Sequence, residues 1–308
     1  MKKLLFLVLL ISLDSFSQDL ERVDAVIQLY PETFESAEQF SKFLSRDFTS
    51  DSEKVRAIYG WLIQNVAYEP EEYKKYDYTF KNYRERNQKE EKIRAKIINR
   101  TLQTGKAVCE GYAFVFEKLC NMQGIENYLV RGDTKTQIKD IGRSFNKNHM
   151  WNAVKLEGTW SLFDATWGAG KYRVKFIKEP SYFYYAIAPE QLIKTHFPEM
   201  VEDSFLKTPI MFSEFTKRPI IISPEILPED ILSPAKGIVF SNSSQNEVYF
   251  EIQTAAPKEI QYAYGASKKS VLFSEKEGVL HFAVPIQLGS DTLIIYFDEK
   301  PVLAYKVI

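Results

Sequence analysis

Two periods of apolar spacing run along this chain, and the change from one to the other divides it. From Ser52 to Asn65, Val55, Ile58, Tyr59 and Leu62 fall at helical spacing, with Ser52 placed to cap the start. From Cys109 onward, Tyr112, Phe116, Leu119 and Cys120 form one stripe, flanked by Ala113 and Val115, and Gly124 supplies a helix stop. A short amphipathic segment at Ala37–Phe43 and a charged stretch over 82–104 are also helix-compatible, while the rest of 18–50 reads as irregular. Val66–Phe80 is rich in Tyr and charge and contains Pro70, so it reads as a surface loop. Strand-like segments follow at Tyr128–Gly132, His149–Leu156 and Thr159–Ala165, and the polar stretch Asp133–Lys147 between them reads as a loop.

The composition changes at 218–237, where four prolines interrupt the pattern. Beyond it, short β-type runs recur at Ile238–Ser241, Val248–Thr254, Glu259–Tyr264, Val271–Ser274, Leu280–Val284, Thr292–Phe297 and Val302–Val307. That pitch predicts a small immunoglobulin-like β-sandwich over 218–308. It carries no Cys and one His, and no chemistry is read in it.

The beginning of the chain reads as an address. Lys2 and Lys3 precede an apolar run from Leu4 to Leu13, broken only by Ser12, and Ser15 and Ser17 offer small residues before a cut at Gln18. Residues 1–17 are therefore expected to be a secretory signal peptide, and the protein to be exported, periplasmic or extracellular. The run is too short to span a bilayer, which needs about 20 apolar residues, and no membrane span is expected in the mature chain. Acidic and basic side chains nearly balance, 41 against 40. No basic excess points to a nucleic acid. No cofactor motif is read, and no Cys/His spacing or acidic loop suggests zinc or calcium.

Only two cysteines are present, Cys109 and Cys120. Export makes a disulfide the first expectation to examine. On one helix, however, they stand about 16 Å apart along the axis, beyond the roughly 7 Å between Cα atoms that a disulfide needs. Cys109 sits at the helix start, after the turn-like Thr104–Val108. Unpaired amides and the helix dipole favour an anion there, which suits a nucleophilic thiol; Lys106 is nearby in sequence. The plainer alternative is a buried apolar cysteine.

His149 shifts the balance. It opens the strand HMWNAVKL, which leads to Glu157-Gly158, a plausible two-residue hairpin turn. With that turn, the numbers of paired residues sum to 315. His149 then faces Thr166 and Trp151 faces Asp164, so that His149 and Asp164 are diagonal neighbours on one face. A thiol, an imidazole to take its proton and a carboxylate to hold the ring are the parts of a Cys-His-Asp nucleophilic site.

The stretches GKAVCEGYAFVFEKLCNMQGI (105–125) and HMWNAVKLEGTWSLFDATWGAG (149–170) resemble the core of the transglutaminase-like superfamily. IYGWLIQNVAYEP (58–70) resembles its upstream helix, and SYFYYAIAPEQLIKTHFPE (181–199) resembles the segment after the core in the kyphoscoliosis-peptidase-like branch. The resemblance covers roughly residues 50–215. It implies an α+β, papain-like transglutaminase core over 18–217, with Cys109 as nucleophile, His149 as base and Asp164 as orienting acid. The Cys109 backbone N–H is the first oxyanion donor expected, and Trp61 is a candidate second. Trp151, Trp160 and Trp167 read as core or site walls, His196 as structural, and His281 as a surface or core residue of a β strand.

The implied function is acyl chemistry on an amide of a protein or peptide, resolved by water in a peptidase or amidase, or by an amine in a transglutaminase-type acyltransferase. Export adds cell-wall peptide to the candidate substrates. The alternative is a catalytically silent module of the same family that binds a protein partner through the same cleft.

Overall fold

The computed structural model describes residues 20–76, 83–172, 174–241 and 246–308. The expected signal peptide at 1–17 lies outside them. The described residues fall into two compact units, each drawn from two stretches of chain: 20–131 with 149–187, and 132–148 with 188–308.

In the first unit, α1 (20–27) and α2 (Ala37–Asp47) lie in the segment read as mostly irregular. Helix α3 (Asp51–Asn65) starts one residue before Ser52. Its cap is Ser50, because Glu53 then stands at the third helical position and returns a bond to the cap backbone, closing a reciprocal capping box. Val66–Phe80 is not simply a loop. It holds β1 (Ala67–Tyr68) and a 3-10 turn at Pro70–Lys75, whose buried Glu72 accepts from Arg100 and Lys75. Arg100 belongs to α4 (Tyr83–Thr104), and β2 (Lys106–Ala107) pairs in parallel with β1.

Helix α5 (Cys109–Met122) is the centre of this unit. Tyr112, Phe116, Leu119 and Cys120 are all buried in its core, alongside Ile58, Trp61 and Leu62 of α3 and Phe34 and Phe40. A three-stranded antiparallel stack of β5 (Thr159–Phe163), β4 (His149–Leu156) and the first half of β3 (Asn127–Thr134) packs against α5. The hairpin register is the expected one, with Leu156 opposite Thr159 and Asn152 opposite Phe163. Glu157 and Gly158 both take left-handed backbone, φ 51° and 81°, as a type I′ turn requires. The strand ends at Phe163, two residues short of expectation, and α6 (Ala165–Ala169) follows with Asp164 as its cap. A small hairpin, β6 (Gly170–Tyr172) with β7 (Phe176–Lys178), completes the unit.

In the second unit, Gly132–Thr134 pair with β8 (His196–Pro198), which follows α7 (Pro189–Leu192). The stretch read as a polar loop is organised by a buried carboxylate: Asp133 accepts from Arg143 and from the Asn146 backbone. Lys135 is buried and donates to the carbonyls of Phe215, Arg218 and Pro219 at 2.8, 2.9 and 3.2 Å, closing the end of α8 (Phe212–Lys217). The proline-rich stretch is not a bare linker, since β9 (Ile220–Ile221) and β10 (Ile231–Ser233) lie in it.

Further strands are β11 (Ile238–Val239), β12 (Glu247–Gln253), β13 (Ile260–Ala263), β14 (Lys269–Val271), β15 (Phe273–Lys276), β16 (Val279–Pro285), β17 (Thr292–Phe297) and β18 (Lys300–Val307). They form two sheets, β10-β12-β16-β15 and β11-β18-β17-β13-β14, with β9 also on β18. Alternate residues share one core between the sheets. Phe250, Ile252, Leu280 and Phe282 come from one, and Ile260, Leu293, Ile295 and Tyr305 from the other. The single expected strand Val271–Ser274 breaks at the exposed Leu272 and contributes to both sheets.

Candidate active site

Cys109 is the first residue of α5, partly exposed, behind a cap residue, Val108, that offers no side-chain acceptor. The first amides of the helix therefore lie beside the thiol. Gly111 is forced by crowding: a Cβ there would stand 2.5 Å from both Ala107 Cβ and Thr101 Oγ1. Cys120, on the same helix, is a free and fully buried thiol, and burial pushes it far above its ordinary range. No disulfide forms between the two.

Helix and hairpin are locked together by Asn152 of β4, whose amide donates 3.1 Å to the Ala113 carbonyl of α5. Nothing in the strand pattern HMWNAVKL marks this task for Asn152. The bond fixes the distance between the strand that begins with His149 and the helix that begins with Cys109. At the other helix face, the Tyr112 hydroxyl donates 2.7 Å to the Val66 carbonyl, tying α5 to the end of α3.

His149 and Asp164 meet directly, with Nε2 and Oδ2 2.7 Å apart, and both side chains are buried. Asp164 reaches this position as a helix cap rather than as a strand residue opposite Trp151. Its Oδ1 accepts from the Thr166 and Trp167 amides at 2.9 and 3.0 Å, leaving Oδ2 for the imidazole. Cys109 lies within hydrogen-bonding reach of the His149 ring. With Nε2 on the carboxylate, Nδ1 is the ring atom placed to exchange a proton with the sulfur. Burial alone would lower the His149 imidazole, but the charge and hydrogen bond of Asp164, helped by Cys109, raise it to about 10. The protonated form of the ring is thus favoured, held between the Asp164 carboxylate and the Cys109 sulfur.

The walls are aromatic. The rings of Trp151 and Trp167 each lie 6.0 Å from the imidazole. Trp160 instead packs on Tyr128, 4.9 Å away, on the hairpin. The Tyr59 hydroxyl donates 3.2 Å to the Ser181 carbonyl, and a Cβ at Gly168 would fall 2.1 Å from that hydroxyl. Only glycine fits there, so α6 can close on α3.

Trp61 is not an oxyanion donor. It is fully buried against Phe34 and Phe40, and its indole N–H donates 2.8 Å to the Pro31 carbonyl. Lys106 is exposed on β2. Among residues given no role from sequence, Tyr68 stands out. The β1–β2 register sets it opposite Ala107, two residues before Cys109. Burial, then the nearby Cys109 charge and Tyr172, push its phenol up to about 12. Its only advance signal was the strand-like Val66-Ala67-Tyr68 inside a charged stretch. His196 is buried in the second unit with Nδ1 2.8 Å from the Thr195 hydroxyl, and His281 faces Glu251 across two strands.

Residues 38–165 match the family model of the transglutaminase-like superfamily. The kyphoscoliosis peptidase of Mus musculus is 28% identical over 82% of this chain and 37% of its own length. That of Homo sapiens is 26% identical over 92% of this chain and 42% of its own. The chain thus spans less than half the length of these relatives. A solved structure described as a TGase is 17% identical, covering 56% of this chain and 37% of that one, with a TM-score of 0.29. Residues 38–165 thus carry a transglutaminase-like domain, mixed in helix and strand, and the chain is similar over most of its length to the kyphoscoliosis peptidases.

Proposed function

We propose that this protein is a thiol enzyme that opens amide bonds of proteins or peptides through an acyl-enzyme. One observation carries the reading: a partly exposed cysteine at a helix start lies within hydrogen-bonding reach of an imidazole whose far nitrogen is 2.7 Å from a buried, doubly capped carboxylate. The Cys109 sulfur attacks the amide carbonyl carbon, and the helix-start amides, the Cys109 N–H first, face the oxygen that becomes negative. As the tetrahedral species collapses, the C–N bond breaks and His149 gives its proton to the departing amine. A thioester remains. Water, deprotonated by His149, releases a carboxylic acid and restores the thiol; an amine in its place forms a new amide. Hydrolysis is preferred, because water is always present and an amine acceptor needs a site of its own.

The sequence supports two companion readings. The leader-like residues 1–17 point to export, periplasmic or extracellular, where cell-wall peptides join the candidate substrates. The two-sheet unit reads as an immunoglobulin-like module that docks the enzyme on a partner.

Fluorescently labelled casein with and without monodansylcadaverine tests the central reading. Release of soluble peptides marks hydrolysis, dye incorporation marks acyl transfer, and either must vanish in Cys109→Ala. Absence of both, together with alkylation of Cys109 that ignores His149→Ala, would return the protein to the silent binding module.

A further inference from the structure

We propose that Tyr68 and Tyr172 form an aromatic subsite beside Cys109 that receives a neutral aromatic or branched aliphatic side chain of the acyl donor. The inference rests on the acyl-enzyme reading and adds the class of substrate to it. Tyr68 is fixed by pairing with Ala107, two residues from the nucleophile. The Tyr172 ring stands 5.8 Å from the Tyr68 ring, edge to face, and half of Tyr172 is exposed. Within the β6–β7 hairpin, Tyr172 lies opposite Phe176, so the two share a face, as does Lys178 opposite Gly170. That face is turned toward β1: Phe176 packs on the unit's core, and the Lys178 ammonium donates 3.2 Å to the Val66 carbonyl. A donor amide whose carbonyl carbon reaches the Cys109 sulfur therefore has its flanking atoms against this pair of rings.

Charge decides what kind of side chain fits. Aromatic faces take apolar groups and cations alike. The face of the hairpin that bears Tyr172, however, presents Lys178 and no carboxylate, and the adjacent Glu179 is paired with Lys171. A cationic side chain is repelled, and a neutral apolar one is not.

Alkylation of Cys109 reads the subsite without a known substrate. The sulfur displaces iodide from the methylene carbon of the probe, leaving a thioether and free iodide. Second-order rates are measured for iodoacetamide and N-benzyl-iodoacetamide, and their ratio is divided by the same ratio for glutathione. The normalised benzyl preference is expected to be about five- to tenfold, kept in Tyr172→Phe and in the exposed hairpin-tip variant Val174→Ser. It falls at least threefold in Tyr172→Ser. A preference near one in the native protein, or one untouched by Tyr172→Ser, overturns the subsite while leaving the reactive thiol standing. Slow iodoacetamide labelling that is also indifferent to His149→Ala overturns the acyl-enzyme reading and the subsite with it.

Discussion

Asp164→Asn changes the charge and one donor–acceptor sense at the middle of the candidate site and leaves its shape alone. In the native chain, Oδ1 caps α6 through the Thr166 and Trp167 amides, and Oδ2 accepts from His149 Nε2. Asparagine caps helices about as well as aspartate, so its oxygen keeps both amide bonds. Its NH₂ then faces Nε2 and can only donate, which forces Nε2 to accept and leaves the ring neutral, with its one proton on Nδ1, toward the sulfur. A ring in that state cannot take the thiol proton. The equivalent exchange in a Ser-His-Asp site lowers turnover about 10⁴-fold, and the same order is expected here. Loss of one charge-assisted hydrogen bond should cost about 1.5–3 kcal/mol of stability. Asp164→Ala, which also removes the cap, should cost about 1 kcal/mol more. Urea unfolding supplies the stabilities, and turnover with iodoacetamide rates from pH 5 to 9 supplies the chemistry. Equal destabilisation by Asn and Ala, or turnover within tenfold of the native protein, would refute the assignment of Asp164 to both jobs.

Three further outcomes can be checked. His149 has its folded-state value raised from 6.5 to about 10, so the folded protein holds a proton that the unfolded chain gives up. The stability difference between native protein and His149→Ala should be fully present below about pH 6.5 and disappear as pH rises through about 10, read by urea unfolding at each pH. Gly168→Ala should destabilise by about 1–3 kcal/mol through overpacking on the Tyr59 hydroxyl, and Tyr59→Phe should return part of the lost melting temperature; no recovery would point to a different clash. Lys135→Met takes the ammonium from three carbonyls, two of them buried, and a loss of about 2–3 kcal/mol is expected. A native melting temperature in this variant would mean that water replaces the ammonium at no cost.

The parts of the site governed by local rules were legible in the chain. A two-residue turn and strict alternation set the β4–β5 register, and helical spacing set α5, so His149 and Cys109 were placed by counting. Asp164 was found for an incomplete reason. Strand alternation carried the pattern on to Ala165, whereas capping chemistry ends the strand at Phe163 and turns the carboxylate into the site. Tyr68 and the short strands β9 and β10 were missed because pairing partners distant in sequence, not their neighbours, make them strands. Trp61 misled because an indole on the helix that resembles the family's upstream one says nothing about its N–H until Pro31 is seen accepting from it. Asn152 and Gly168 belong to the same class: each acts through a contact with an element far along the chain.

The interleaving of the two units bears on how the protein is made. Residues 132–148 leave the ribosome between the two stretches of the first unit, and their own partners, from 188 onward, come later still. The helix that starts at Cys109 is synthesised before the strand that starts at His149, and at ~5–20 residues per second the delay is a few seconds. During that interval the nascent chain presents a thiol with neither its imidazole nor the Asn152 clasp on its helix. The thiol is made first and its partners follow in order, so proton exchange at Cys109 is withheld until His149 and then Asp164 have emerged and Asp164 has capped its helix.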